Sequence, residues 1–174
     1  CPKPIRRRLA LPFPWRPTLQ IWQTRAMAQL SMHSPIGDLT ISADDGSIVA
    51  LDWGWARDQS DDALLEAAKA QLEAYFDGAS TAFDLPLSPA GTEFQRNVWR
   101  LMEAIPYGGT RSYGDLAKDL KSAARAVGMA CGANPIPVII PCHRILSATG
   151  MGGYSGEGGV VTKVDLLRLE GALL

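Results

Sequence analysis

The sequence predicts an α/β (α+β) fold in two parts. A small N-terminal sheet-plus-helix domain comes first, and a mainly helical helix-turn-helix domain carrying Cys142 follows. Three observations predict it. Alternating apolar and polar residues from Gln29 to Trp53 flank the dipeptide Asp45-Gly46, a strong hairpin signal. Helical periods dominate after Thr92. Between the two regions lies the Pro-rich stretch "DLPLSPAG" at 84–91, which reads as a linker. The expected organisation is an extension at 1–26, a domain at 27–86, a linker at 87–91 and a second domain at 92–174.

The runs "QLSMHS", "LTISA" and "SIVALDW" have the period of strands. His33 lies in the first of them and is expected to be structural. A helix follows, with Ser60 or Asp61 as its cap and Gly78 as its stop. Leu64, Leu65, Ala68, Leu72, Tyr75 and Phe76 form its apolar face. In the second half, Thr92 caps "TEFQRNVWRLMEAI" (92–105), whose stripe is Phe94, Val98, Leu101, Met102 and Ile105. Ser112 with Asp115 three residues on forms a capping box for "YGDLAKDL". After a break at Lys121, Ser122 is expected to cap "SAARAVGMACGAN". Two short helices across a tight turn make a helix-turn-helix candidate, and a plain helical hairpin fits the pattern equally well. "PVIIP" predicts a short buried strand, "GMGGYSGEGG" a Gly-rich loop, and Thr162 with Asp165 the cap of a last helix.

Composition narrows the class. An apolar fraction of 47% with 20% charged residues is that of an ordinary globular protein. No segment approaches the ~18 uninterrupted apolar residues of a membrane helix. Three scattered cysteines form no disulfide framework, so a reducing, cytoplasmic setting is expected. The ligand spacing of structural zinc is absent, and neither metal nor cofactor is expected. The net charge of −1 hides an asymmetry. Residues 1–26 hold six Lys or Arg and no acid, and 27–90 hold two against eleven acids. Residues 91–174 hold nine against seven, so a polyanion is expected to meet the second half only. With five prolines and no sustained period, 1–26 reads as disordered, and the working protein is expected to start near Met27.

The chemistry concentrates in "NPIPVIIPCHRIL", where Cys142 and His143 are neighbours. A free thiol has a pKa of ~8.5 and attacks poorly until a base takes its proton. An isolated Cys-His pair is more often a packed thiol beside a core histidine, and adjacent side chains on a strand point apart. Glu170 alters that balance. It shares a face of the last helix with Leu166, Leu167, Leu173 and Leu174, and a buried carboxylate needs a partner. His143 is the obvious one, which makes Cys142, His143 and Glu170 nucleophile, base and orienter. The neighbouring Gly171 is expected to fray that helix end.

"PCHR" after "NPIPVII", with "ARAVG" before it and "GGYSG" and "LLRLEG" after it, resembles the O6-alkylguanine-DNA alkyltransferases. The resemblance is dense from Phe94 to Gly171. It implies transfer of an alkyl group from O6-alkylguanine (or O4-alkylthymine) in double-stranded DNA to Cys142, once and irreversibly, by a monomer. Cys142 resembles the acceptor, with His143 acting on it through a water and Glu170 behind. Tyr113 resembles the tyrosine that donates to guanine N3, and Arg125 the arginine that replaces the flipped nucleotide. Asn134 resembles the asparagine tying the recognition helix to the active-site turn. Tyr154 and Ser155 fall where a loop walls the pocket. Ser112, Ala124, Ala126 and Gly128 are implied at the DNA surface, where small residues permit close minor-groove approach. The stretch from Tyr113 to Arg125 is slightly shorter than the family pattern, and that from Ser155 to Lys163 slightly longer. Cys131 is expected to be a packed small residue. The alternatives are a non-enzymatic lesion binder, against which Cys142 itself argues, and a thiol hydrolase, which would turn over.

Overall fold

Alternation in the first half does produce a sheet. In the computed structural model, which describes residues 27–173, β1 (Ala28–Met32), β2 (Leu39–Asp44) and β3 (Ser47–Trp53) form an antiparallel sheet in sequence order. Asp44 pairs with Ser47 across Asp45 and Gly46, whose φ values of 45° and 72° make the twisted two-residue turn that Asp-Gly favours. Residues 1–26, for which an extension was expected, lie outside the described residues.

Helix α1 (Ala63–Phe76) lays Leu65, Ala68, Leu72, Tyr75 and Phe76 against this sheet, as its stripe predicts. Its cap is Asp62 rather than Ser60 or Asp61: Oδ1 accepts from Leu64 N at 2.9 Å and Leu65 N at 3.2 Å. Ser60 is engaged elsewhere, with its backbone and hydroxyl both bonded to Gln29 of β1. Gly78, at φ 70°, stops the helix as expected. His33 is exposed and bonds Asp38 at 2.6 Å.

The linker does more than connect. Ile48 of β3 exchanges backbone hydrogen bonds with Pro86 and Ser88, and Leu51 N donates to Pro135 O at 2.9 Å. The open edge of β3 is therefore covered by the linker and by a segment of the second half, which satisfies its backbone and ties the halves together.

Helix α2 (Glu93–Glu103) starts from a complete Thr92–Gln95 capping box and buries Val98, Trp99 and Met102. The indole of Trp99, absent from the predicted stripe, donates to Ala130 O at 2.8 Å. Ser112 and Asp115 form the predicted capping box of α3 (Tyr113–Asp119). Lys121, at φ 49°, makes the turn to α4 (Ala124–Gly132). The cap of α4 is Ala123, without a side-chain bond, instead of Ser122. Short strands β4 (Arg111–Ser112) and β5 (Ile145–Leu146) pair in parallel, bringing the start of α3 beside the chain that leaves Cys142.

Two predictions near the thiol fail. "PVIIP" is a buried pair of tight turns, not a strand. Ile139 N donates to Pro137 O and Ile140 N to Ile136 O, with Val138 at φ 71°. Prolines at 135, 137 and 141 remove the donors that a ladder needs. Helix α5 (Val160–Leu169) begins at Gly159, ahead of Thr162. The Thr162 hydroxyl donates back to Glu157 O and occupies the space that a side chain on Gly158 would need. Replacing Thr92 by Ala should cost about 1 kcal/mol in urea unfolding, the usual value of a lost hydroxyl cap. Replacing Ser122 should cost almost nothing, because no cap bond is lost.

Candidate active site

Pro141, with φ −81°, leads into a single 3₁₀ turn, Cys142–Arg144, instead of a strand. Successive side chains on such a turn lie roughly a third of a circle apart. Neighbours can therefore serve one site without pointing to opposite faces, which removes the objection raised by a strand. All three side chains of the turn are buried.

His143 is fully buried, and its Nε2 lies 2.8 Å from Glu170 Oε1. A carboxylate only accepts, so Nε2 carries the proton and Nδ1 presents a bare lone pair. Among the described residues, His143 Nδ1 and the Tyr154 hydroxyl are the two buried side-chain polar atoms without a hydrogen-bond partner. Glu170 closes α5, and Gly171, far from fraying the end, fixes it. Gly171 at φ 71° lets its own N donate to Arg168 O while Ala172 N donates to Leu167 O.

Glu170 has more partners than the sequence predicts. Arg144 grips both carboxylate oxygens, with Nε at 2.9 Å from Oε2 and Nη2 at 2.8 Å from Oε1. Its Nη1 donates to Ile105 O, and its guanidinium lies 6.0 Å from the Tyr107 ring centre. The Tyr75 hydroxyl of α1 donates to Oε1 at 2.7 Å, and Gly108 N to Oε2 at 3.2 Å. Arg144 was legible, since a buried guanidinium needs an acid. Tyr75 is core, as its place on the α1 stripe predicts, and the stripe gives no sign of the partner its hydroxyl finds.

Burial alone would raise the Glu170 pKa, yet the bonds from His143 and Arg144 outweigh it and hold the carboxyl at about 2. Burial lowers the His143 pKa, against the raising effect of Glu170. Burial raises that of Cys142, opposed by the Asn134 side chain, Lys163 and nearby backbone N–H groups. The resting pair is thus a neutral imidazole and a neutral thiol.

Cys142 opens into a cavity of about 240 Å³ lined by Tyr113, Gly128, Cys131, Tyr154 and Ser155 among others. This is a little under the ~300 Å³ of a drug-sized site and suits one flat ring system. Burial raises the Tyr113 pKa, so its phenol remains a donor. Cys131 is a packed thiol, as expected, touching Met102 Sδ at 3.6 Å and held by burial at about 12. Asn134 donates to Ile140 O at 2.8 Å and accepts from Ile136 N, tying α4 to the turn before Cys142. Lys163, which no sequence pattern marks, is fully buried and donates to the carbonyls of Ile145, Met151 and Gly153, holding the loop after the thiol.

Arg125 and Ala124 are exposed and Ala126 half-buried on α4, outside the cavity. The Ser112 hydroxyl is engaged with Asp115. Among the described residues no cluster of three or more His, Cys, Asp or Glu suits a metal ion, and no helix is long and apolar enough to cross a membrane. A larger groove of about 650 Å³ opens beyond Arg144, between the linker and α2, and no thiol lines it.

Known proteins match along nearly the whole described chain. The family described as "6-O-methylguanine DNA methyltransferase, ribonuclease-like domain" matches residues 27–89, and "6-O-methylguanine DNA methyltransferase, DNA binding domain" matches 93–172. A methylated-DNA–protein-cysteine methyltransferase of Methanosarcina acetivorans is 41% identical over 151 residues, covering 80% of this chain and 96% of that one. One of Mycolicibacterium paratuberculosis is 43% identical over 153 residues, covering 80% and 90%. Among solved structures, Mycobacterium tuberculosis OGT in complex with DNA has a TM-score of 0.74 and 44% identity, covering 82% of this chain and 92% of that one.

The Glu170 cluster yields a pH prediction. Its folded pKa lies below its ordinary value of 4.5, so the folded state binds fewer protons than the unfolded state between there and about 2. The stabilisation is full above that window and is lost as pH falls through it. Glu170→Gln leaves Arg144 without its charge partner and should cost about 3–5 kcal/mol at neutral pH. In urea unfolding, the gap between wild type and variant should narrow steadily from about pH 4.5 towards 2.

Proposed function

This chain belongs to the 6-O-methylguanine DNA methyltransferase family, and on that premise we propose that it repairs DNA by moving an alkyl group from O6 of a flipped guanine to Cys142. The observation that carries the reading is the thiol on the wall of a base-sized cavity, backed by a histidine whose bare Nδ1 is set by Glu170.

The lesion is buried in duplex DNA, so its nucleotide must leave the stack, at a cost of a few kcal/mol. Arg125, exposed on the second helix of the helix-turn-helix, fills the gap, while Ala124, Ala126 and Gly128 let the backbone approach the minor groove. In the cavity, Tyr113 donates to guanine N3, and Ser155 at the cavity edge reaches O6. The Cys142 sulfur attacks the alkyl carbon, forming the S–C bond as the C–O6 bond breaks and its electron pair returns to the purine. The thiol proton passes to His143 Nδ1, bridged by one water. Glu170 stabilises the imidazolium. Tyr113 gives its phenolic proton to guanine N3 as the charge builds there, and the proton held on His143 returns through solvent to restore the phenol, so thiol and ether become thioether and guanine. Nothing in the site hydrolyses a thioether, and each molecule reacts once.

One chain supplies every group of the site, which supports action as a monomer. Both described cysteines, Cys131 and Cys142, are free thiols, which supports a reducing compartment such as the cytoplasm.

Intact-mass analysis after incubation with an O6-methylguanine duplex should show one added methyl per chain, mapped to Cys142. No gain marks a lesion binder, and product beyond one equivalent marks a hydrolase. Cys142→Ala should take no methyl yet bind the duplex, because groove and phosphate contacts lie on other residues. Arg125→Ala should slow transfer from duplex on the order of tenfold or more, since extrusion costs a few kcal/mol. It should leave reaction with free O6-methylguanine nearly unchanged. Equal losses on both substrates would move Arg125 from extrusion to the chemistry or the fold.

A further inference from the structure

The wall of the acceptor cavity is built from a segment with little stiffness of its own. Glycines stand at 152, 153, 156, 158 and 159, each leaving the backbone freer than another residue would. Lys163 anchors one end through the carbonyls of Met151 and Gly153, and Thr162 anchors the other through Glu157 O. Between these anchors lie Tyr154 and Ser155, which line the cavity.

What meets them comes from the other domain. Trp53, the last residue of β3, sets its ring edge-on to Tyr154, with centres 6.3 Å apart and planes at 89°. Its indole N–H donates to Ile36 O at 3.2 Å, which pins the ring to the β1–β2 turn. A Cβ on Gly156 would collide with the Tyr154 ring and come within 2.5 Å of Trp53. The glycine is thus the condition for the two rings to close over the loop. Beyond Trp53, a gap of about 350 Å³ separates Ile36 and Asp38 from Glu157 and Gly158, so the loop's far side has no such support. The Tyr154 hydroxyl, buried without a partner, does not hold the ring in place.

We propose that Trp53 is a positioning residue for the alkyl-transfer reaction: through Tyr154 it fixes the cavity wall against which the flipped base is held. The role rests on the function proposed above. Trp53 is not among the groups bonded to Glu170, so its effect falls on capture of the base and not on the transfer step.

Single-turnover alkylation of Cys142 by free O6-methylguanine separates these. In Trp53→Ala and in Trp53→Leu, which keeps apolar bulk, the half-saturating concentration should rise about three- to tenfold, the range an aromatic edge contact supplies. The limiting rate should stay within about twofold of wild type, because the Cys142–His143–Glu170 arrangement is untouched. Trp53→Phe, which keeps a ring edge, should restore most of the affinity. Independently of any reaction, amide exchange across 152–158 should quicken about tenfold in Trp53→Leu, as expected where a local brace is lost. An unchanged half-saturating concentration, or a fall confined to the limiting rate, overturns the role. Unchanged exchange overturns the brace itself. A wild-type protein that exchanges as expected but takes no methyl group overturns the function and, with it, this part in it.

Discussion

The carboxylate of Glu170 is the point on which the two halves of the molecule converge. A buried charge is tolerated only when paired and saturated with hydrogen bonds. Here four donor residues come from three places: α1 (Tyr75), the chain before α3 (Gly108), and the active-site turn (His143 and Arg144). Each element must reach the same small volume for any of them to be satisfied. The cost of burying the acid thus becomes a constraint on the position of the N-terminal domain, the active-site turn and the last helix at once. That position also fixes the tautomer of His143, and so decides which ring nitrogen is free to take a proton.

The same burial explains why the thiol is quiet at rest. Desolvation raises Cys142 and lowers His143, so neither forms its ion unaided. Asn134, Lys163 and the backbone N–H groups near the sulfur oppose that effect without overcoming it. In the proposed reaction, charge then develops on the sulfur only as a base accepts the proton and an alkyl carbon accepts the electrons. This suits a protein that reacts once: a standing thiolate would be lost to any electrophile, whereas a shielded thiol waits for a substrate that fits.

The outline of the fold was legible because it rests on periodicity. Alternation gave the hairpin, helical stripes gave α1 and α2, and the Ser112–Asp115 box gave α3. His143 and Glu170 were legible as a pair from burial logic alone, since an acid on an apolar face implies a partner. The errors share a cause. Hydroxyls favour caps, so Ser60, Ser122 and Thr162 are the expected caps, but the cap falls on Asp62, Ala123 and Gly159. Ser60 instead bonds Gln29, 31 residues away, and Thr162 bonds back to Glu157 O. "PVIIP" has the composition of a strand, but its flanking prolines leave no ladder to join. Tyr75 and Lys163 were invisible because their roles depend on the single polar atom at the tip of a long side chain. Its destination, 95 residues away for Tyr75, is set by tertiary packing.

The N-terminal domain therefore belongs to the site in a physical sense, although no residue of it lines the cavity. Its sheet is bound edge-on to Pro135, next to the asparagine that ties α4 to the turn before Cys142. Its helix delivers the Tyr75 hydroxyl to the carboxylate behind His143. Its last strand sets Trp53 against the loop that closes the cavity. These contacts reach the end of α4, His143 and the cavity wall by separate routes. A Gly-rich loop and a three-residue turn could not hold such geometry alone, since each residue fixed costs ~1–2 kcal/mol of backbone entropy. The N-terminal domain supplies the rigidity that a one-time reaction needs before its substrate arrives.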